Sequence, residues 1–149
     1  MLFRSVWYRK DNNEVLWSPI PKWHFDEKKY GFRVSTVKEN KENIHEIYRL
    51  IRERKPHAPI VFTLSPVPLM ATFRPQSCVT SNAVSKAVLR SSLDEVIREI
   101  GRDDRLFYWP SYEIITEAFD DPWREDKRHV QEKYLDVVMN LFESIYCLN

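Results

Sequence analysis

The residues best placed to do chemistry in this sequence are Asp126 and His129, in the run Asp126-Lys127-Arg128-His129. An Asp three residues before a His, on a turn leading into a helix, can fold its carboxylate back onto the imidazole Nδ1–H. That contact fixes the tautomer and leaves Nε2 free to take a proton from a serine hydroxyl. The plainer alternative is a histidine at a helix start, capped by its neighbour. Of the other histidines, His45 and His57 read as solvent-facing, and His24, between Trp23 and Phe25, as a packed one. Ser65 and Tyr112 follow two apolar runs and are the candidate substrate-binding residues. Ser65, in Ser65-Pro66-Val67-Pro68, lacks the Gly-x-Ser-x-Gly elbow that exposes a nucleophile. It therefore also reads as a strand-end hydroxyl that holds its loop. Ser85-Lys86 suggests a dyad, but adjacent helical residues do not face each other, so Ser85 reads as structural. Glu113 either lines the same cleft or anchors a backbone turn.

Composition removes several other chemistries. Lys plus Arg number 23 and Asp plus Glu 22, a net charge of +1. Phosphate-backbone binding needs surplus positive charge, so nucleic acid is not an expected partner. The only glycines are Gly31 and Gly101, too isolated to build a phosphate-cradling loop. Cys78 and Cys147 match neither a metal-ligand spacing nor a disulfide framework. Free thiols point to a reducing, cytoplasmic setting, and no metal or cofactor is expected. No apolar run approaches the roughly 20 residues needed to span a bilayer, and Met1-Leu2-Phe3-Arg4-Ser5 turns polar too soon for a signal peptide.

These candidates must be held by elements that the pattern outlines. Val6-Trp7-Tyr8 and Glu14-Val15-Leu16-Trp17 flank a polar turn, the look of a small hairpin. Ser18 to Phe32 reads as an irregular segment whose aromatics pin it to the core. Thr36 and Glu39 have capping-box spacing, and Ile44, Ile47, Tyr48 and Ile51 form the stripe of a helix ending at Lys55-Pro56. Pro59 to Leu64 is a continuous apolar run, as in a strand buried on both faces of a parallel sheet. A second helix from about Asn82 carries Val84, Val88, Leu89, Leu93, Val96, Ile97 and Ile100, with Gly101 as its stop. Leu106 to Trp109 is a second buried strand. A short helical turn near 112–119, a loop across 120–127 and a last helix from about Val130 to Tyr146 complete the chain. Buried strands alternating with helices argue for α/β layering. Ligands then bind beyond the carboxyl ends of the strands, where the segments 65–73, 110–113 and 120–129 converge. Two strands do not complete such a sandwich, so residues 1–149 read as one partial domain. Further strands are expected upstream or from a partner chain pairing with the open edge.

Four segments together resemble a known family: Thr63-Leu64-Ser65-Pro66-Val67-Pro68-Leu69-Met70-Ala71-Thr72-Phe73, Ser85-Lys86-Ala87, Tyr108-Trp109-Pro110-Ser111-Tyr112-Glu113 and Asp126-Lys127-Arg128-His129-Val130. The chain is similar, from about Val6 to Cys147, to the GSCFA domain family of bacterial proteins. That family is itself similar to the SGNH, or GDSL-type, hydrolases, three-layer α/β/α esterases with an Asp-x-x-His near the C-terminus. The resemblance implies an incomplete α/β/α fold lacking its N-terminal strands, with His129 as general base and Asp126 as its orienting partner. It implies hydrolysis of a small-molecule or glycan acyl ester. The sequence departs from the family in having no Gly-Ser-Cys-Phe-Ala motif, whose serine matches the SGNH nucleophile. The match begins abruptly at Val6-Trp7-Tyr8, so Met1–Ser5 read as foreign to the fold and the chain alone is expected to be inactive. The rival expectation is a non-catalytic module whose tryptophans Trp7, Trp17, Trp23, Trp109 and Trp123 serve as platforms for sugars.

Overall fold

In the computed structural model, described for residues 5–147 except Trp17 and Pro19, two sheets and four helices are present among the described residues. Strands β1 (Ser5–Arg9), β2 (Val15–Leu16) and β3 (Tyr30–Val34) form an antiparallel sheet in the order β2-β1-β3. The β1–β2 turn ends at Asn13 with φ of 59°, a left-handed conformation that asparagine tolerates because its short polar side chain bonds locally. The expected hairpin is present. Trp17, placed in its second strand, lies outside the described residues.

Strand β3 corrects the expectation of an irregular segment through Phe32. Tyr30–Val34 pairs with β1 in the register Trp7↔Phe32 and Tyr8↔Gly31, a long-range ladder that no local pattern announces. Gly31 is needed there, since a Cβ at this position would run into the Tyr8 ring. Trp7 is buried and meets Phe25, Phe32 and Phe73 edge-on, with ring centroids 5.5, 5.3 and 4.7 Å apart. Trp23, by contrast, is 82% exposed, and His24 is exposed beside it rather than packed. On the short 3-10 turn Lys22–His24 those two rings meet each other edge-on, with centroids 6.3 Å apart.

Helix α1 (Val37–Arg54) opens with the expected capping box. The Glu39 amide donates to Thr36 Oγ1 at 3.1 Å, and the Thr36 amide donates to the Glu39 carboxylate at 2.8 Å. Thr36→Ala should lower stability by about 1 kcal/mol, read as a drop in the urea midpoint at unchanged slope. An unchanged midpoint would mean that the cap contributes nothing.

Strands β4 (Ile60–Thr63) and β5 (Leu106–Trp109) pair in parallel, from Ile60↔Leu106 to Thr63↔Trp109. Alternation along them sends side chains to both faces. Phe62 and Tyr108 pack on Ile44 of α1 and on Leu93 and Val96 of α2 (Cys78–Ile100). Val61 and Trp109 pack on the opposite cluster, built from α3 (Ser111–Glu117) and α4 (Glu132–Tyr146) around Ile115, Val130 and Val138. Helices thus cover both faces of a short parallel sheet, a mixed α/β arrangement that matches an incomplete α/β/α sandwich.

Some boundaries differ from the expected ones. Helix α2 starts at Cys78 rather than near Asn82, because Ser77 caps it through the Thr80 amide at 3.1 Å. It ends at Gly101, whose φ of 74° is easiest for glycine. Helix α3 spans Ser111–Glu117, starting directly after Pro110. Helix α4 begins at Glu132, since Val130 is held in a bridge to Trp123.

Candidate active site

The loop between α3 and α4 folds back on itself. Trp123 and Val130 form an antiparallel bridge, and inside it the Arg124 amide donates to the His129 carbonyl at 2.7 Å. The Lys127 amide donates to the Arg124 carbonyl at 2.9 Å, which sets Lys127 at φ of 52°. The side-chain amide of Gln131 braces the base of the loop by donating to the carbonyls of Asp121 and Trp123, at 3.0 and 2.8 Å. Within this turn, Asp126 Oδ1 accepts the amides of His129 and Arg128 at 2.9 and 3.0 Å. Its Oδ2 lies 2.5 Å from His129 Nδ1. The carboxylate and the imidazole therefore point toward each other, and nothing among the described residues hydrogen-bonds Nε2. Both side chains are about half exposed, at 48% and 54%.

The backbone amide of His129, then its ring, then the amide of Arg128 hold the Asp126 carboxyl well below the usual carboxylate range. A carboxyl whose pKa is depressed by folding supports the structure above its unfolded value, about 3.9 for Asp, and loses that support as pH falls toward the folded value. The turn is expected to stay closed at neutral pH and to open only well below pH ~4. The Arg128 and His129 amide resonances, followed by NMR on acidification, should move in that range. A midpoint near pH ~4 or above would contradict the bonding described.

The turn rests on the loop that leaves β4. Arg128 Nε donates to the Pro68 carbonyl in a long contact of 3.4 Å. From α2, Lys86 Nζ donates to the carbonyls of Ser65 and Val67 at 2.5 and 2.8 Å. Ser65 Oγ accepts the Val67 amide at 3.2 Å, so this hydroxyl holds its own loop. Tyr112 places its ring 5.9 Å from Lys86 Nζ. Ser111 Oγ donates to the Leu64 carbonyl at 3.0 Å, joining the ends of the two parallel strands. Glu113 anchors side chains rather than a backbone turn: Arg90 Nε and the Tyr108 hydroxyl donate to it at 2.7 and 2.8 Å. Burial pushes the Glu113 carboxyl up, but those two donors outweigh it and hold it below its ordinary value. Of the three segments expected to converge beyond the strand ends, 120–129 meets 65–73 through Arg128 and Pro68, and 110–113 reaches the end of β4 through Ser111 and Leu64.

The model of the GSCFA family matches residues 3–142. The chain belongs to the GSCFA family. No curated protein and no solved structure matches it.

The match takes in all four segments by which the resemblance was read. In this GSCFA chain the histidines outside the turn stand apart from it. His45 Nε2 lies 2.8 Å from Glu99 between α1 and α2, partly covered rather than fully solvent-facing, and His57 is exposed beyond α1. Ser85 is buried in α2 with Ser81 and Ser92. Two positions beside the turn escaped the sequence reading: Lys86, dismissed with Ser85, and Arg128, read only as the spacer between Asp126 and His129. The signal that could have found Lys86 is charge distribution, since no Asp or Glu occurs between Glu53 and Asp94; Arg128, among Glu125, Asp126 and Glu132, carries no such signal. Among the described residues, no helix is long and apolar enough to cross a membrane.

Proposed function

We propose that this GSCFA chain carries the general base of a serine-type ester or acyl hydrolase related to the SGNH enzymes. The observation that supports the reading is the 2.5 Å contact between Asp126 Oδ2 and His129 Nδ1, with Nε2 left available. A serine in the family's Gly-Ser-Cys-Phe-Ala motif, which this sequence does not contain, would attack the ester carbonyl. His129 Nε2 would take the serine proton and return it to the leaving alcohol, while the Asp126 carboxylate steadies the imidazolium. Water would then release the acyl group by the same base. The substrate is a small-molecule or glycan acyl ester, and Tyr112 and the Ser65 loop line the approach to it. Without nucleophile and oxyanion donors the base has nothing to activate.

The test joins this chain to a segment carrying the Gly-Ser-Cys-Phe-Ala motif and treats both forms with a serine-directed fluorophosphonate probe. The joined polypeptide is expected to label, to lose labelling on His129→Ala, and the chain alone is expected to stay unlabelled. A joined form that does not label sinks the proposal.

A second reading, a subunit that completes its sheet with another chain, draws on a different observation. Strands β4 and β5 have only each other as neighbours among the described residues, and Val137, Leu141 and Ile145 of α4 are exposed on one flank. Open strand edges and apolar flanks favour pairing.

A further inference from the structure

Half-buried cations in this protein fall into two groups. Lys41 lies against Glu95 and Glu99, Arg52 against Asp103, and Arg90 against Glu113. Arg74, Lys86 and Arg128 are covered to a similar degree, yet none has a carboxylate within ion-pair distance among the described residues. Two of the three meet at one loop, and the third lies further along it. Arg74 lies in the loop after β4, and Lys86 and Arg128 donate to successive carbonyls of that loop, Val67 and Pro68.

A partly desolvated cation without a counter-charge is costly, because neither water nor an anion balances it. For Arg74 and Lys86 no acidic residue stands near in sequence, as none occurs between Glu53 and Asp94. Of the acids on the neighbouring segments, Asp126 faces His129, Asp121 faces Lys127 and Glu113 faces Arg90, while Glu125 is exposed in the turn and is not within ion-pair distance of Arg128. The Lys86 ammonium uses two of its three donors on carbonyls, and burial pulls its pKa down. Arg128 engages only Nε. Arg74 Nη1 is buried with no hydrogen-bond partner. Unused donors of Lys86 and Arg128 are therefore gathered at successive carbonyls of one loop, and Arg128 immediately precedes His129 in the turn.

We propose that the mouth beyond β4 binds an anionic group, a carboxylate or a phosphate, against Lys86 and Arg128. The binding site stands on the cation geometry alone. Its meaning for substrate rests on the hydrolase reading: the ester presented to His129 then belongs to an acidic molecule rather than a neutral one.

The experiment titrates the labelled chain with three probes, followed by backbone amide NMR: trigalacturonate for carboxylate, inorganic phosphate for phosphate, and uncharged maltotriose. One or both anions should shift the amides of Val67, Leu69, Arg128 and His129 saturably, and more weakly as salt is raised. Maltotriose should not. Which anion binds tighter assigns the group. Arg128→Met, on the surface turn, should weaken binding roughly tenfold, the loss of one charge-assisted hydrogen bond at about 1.4 kcal/mol. Lys86→Met should do the same and Lys86→Arg should retain affinity. The Arg128 variant keeps the test decisive if Lys86→Met unfolds. Equal binding of maltotriose, no saturable shift by either anion at tens of millimolar, or undiminished binding by Arg128→Met overturns the proposal. Because the titration needs no nucleophile, its outcome is independent of the fluorophosphonate result, and either idea can fail alone.

Discussion

Asp126→Asn is expected to lower ester turnover by roughly 10⁴-fold in the polypeptide that also carries the Gly-Ser-Cys-Phe-Ala segment, while leaving the turn folded. The asparagine Oδ1 can still accept the amides of Arg128 and His129, which the carboxylate now accepts at 3.0 and 2.9 Å. What it cannot do is present a second oxygen to Nδ1. The side-chain NH₂ would stand where Oδ2 stands, favouring the tautomer that carries its proton on Nε2, where it cannot act as a base. The imidazolium formed during attack would also lose its counter-charge. Two measurements separate these effects. Amide spectra of Arg128 and His129 should remain close to those of the parent, and turnover of a p-nitrophenyl acyl ester should collapse. Turnover within tenfold of the parent would show that the 2.5 Å contact has no part in proton transfer.

Trp109→Ala should destabilise the fold by about 3–5 kcal/mol, the range for deleting a large buried aromatic ring. Trp109 is 7% exposed and sits where the parallel sheet meets its α3–α4 layer. Its ring lies 5.4 Å from Phe142 and 6.0 Å from Tyr146, edge-on in both cases, and its cluster includes Ile115, Val130 and Val138. Removal leaves a cavity that the flanking helices can only partly fill. Because domains are stable by only about 5–15 kcal/mol, urea unfolding should shift strongly. Trp109→Phe should lose less, since one ring still meets Phe142. The strand pairing should persist in both, because Thr63 Oγ1 donates to the Trp109 carbonyl at 2.8 Å rather than to its ring. A loss under 1 kcal/mol for the alanine variant would mean that this layer is not packed as described.

What could be read from the sequence was whatever depends on near neighbours. The capping box of Thr36 and Glu39, the stop at Gly101, the apolar runs of β4 and β5 and the closeness of Asp126 to His129 are all set within a few residues. Strand β3 was not legible, because Tyr30–Val34 is extended only through its ladder to β1, and Gly31 in its middle looks like a turn residue until the Tyr8 ring is seen above it. The start of α2 was missed because the apolar stripe begins after the cap that Ser77 provides. At the site, the sequence pointed to the contact of Asp126 with His129 but not to its support. Lys86 bonds carbonyls about twenty positions back, and Arg128 bonds one that is 60 positions away. Contacts of that span to backbone oxygen leave no trace in residue type.

The bridge between Trp123 and Val130 also bears on the order of events in folding. All the bonds that aim the imidazole of His129 are made inside that short loop, and closing about ten residues takes only tens of nanoseconds at little entropic cost. Strands β4 and β5, whose paired residues are 46 positions apart, must await a far longer excursion of the chain. Asp126 and His129 are thus expected to come together before the sheet forms, and a peptide spanning 121–131 should already carry much of their geometry.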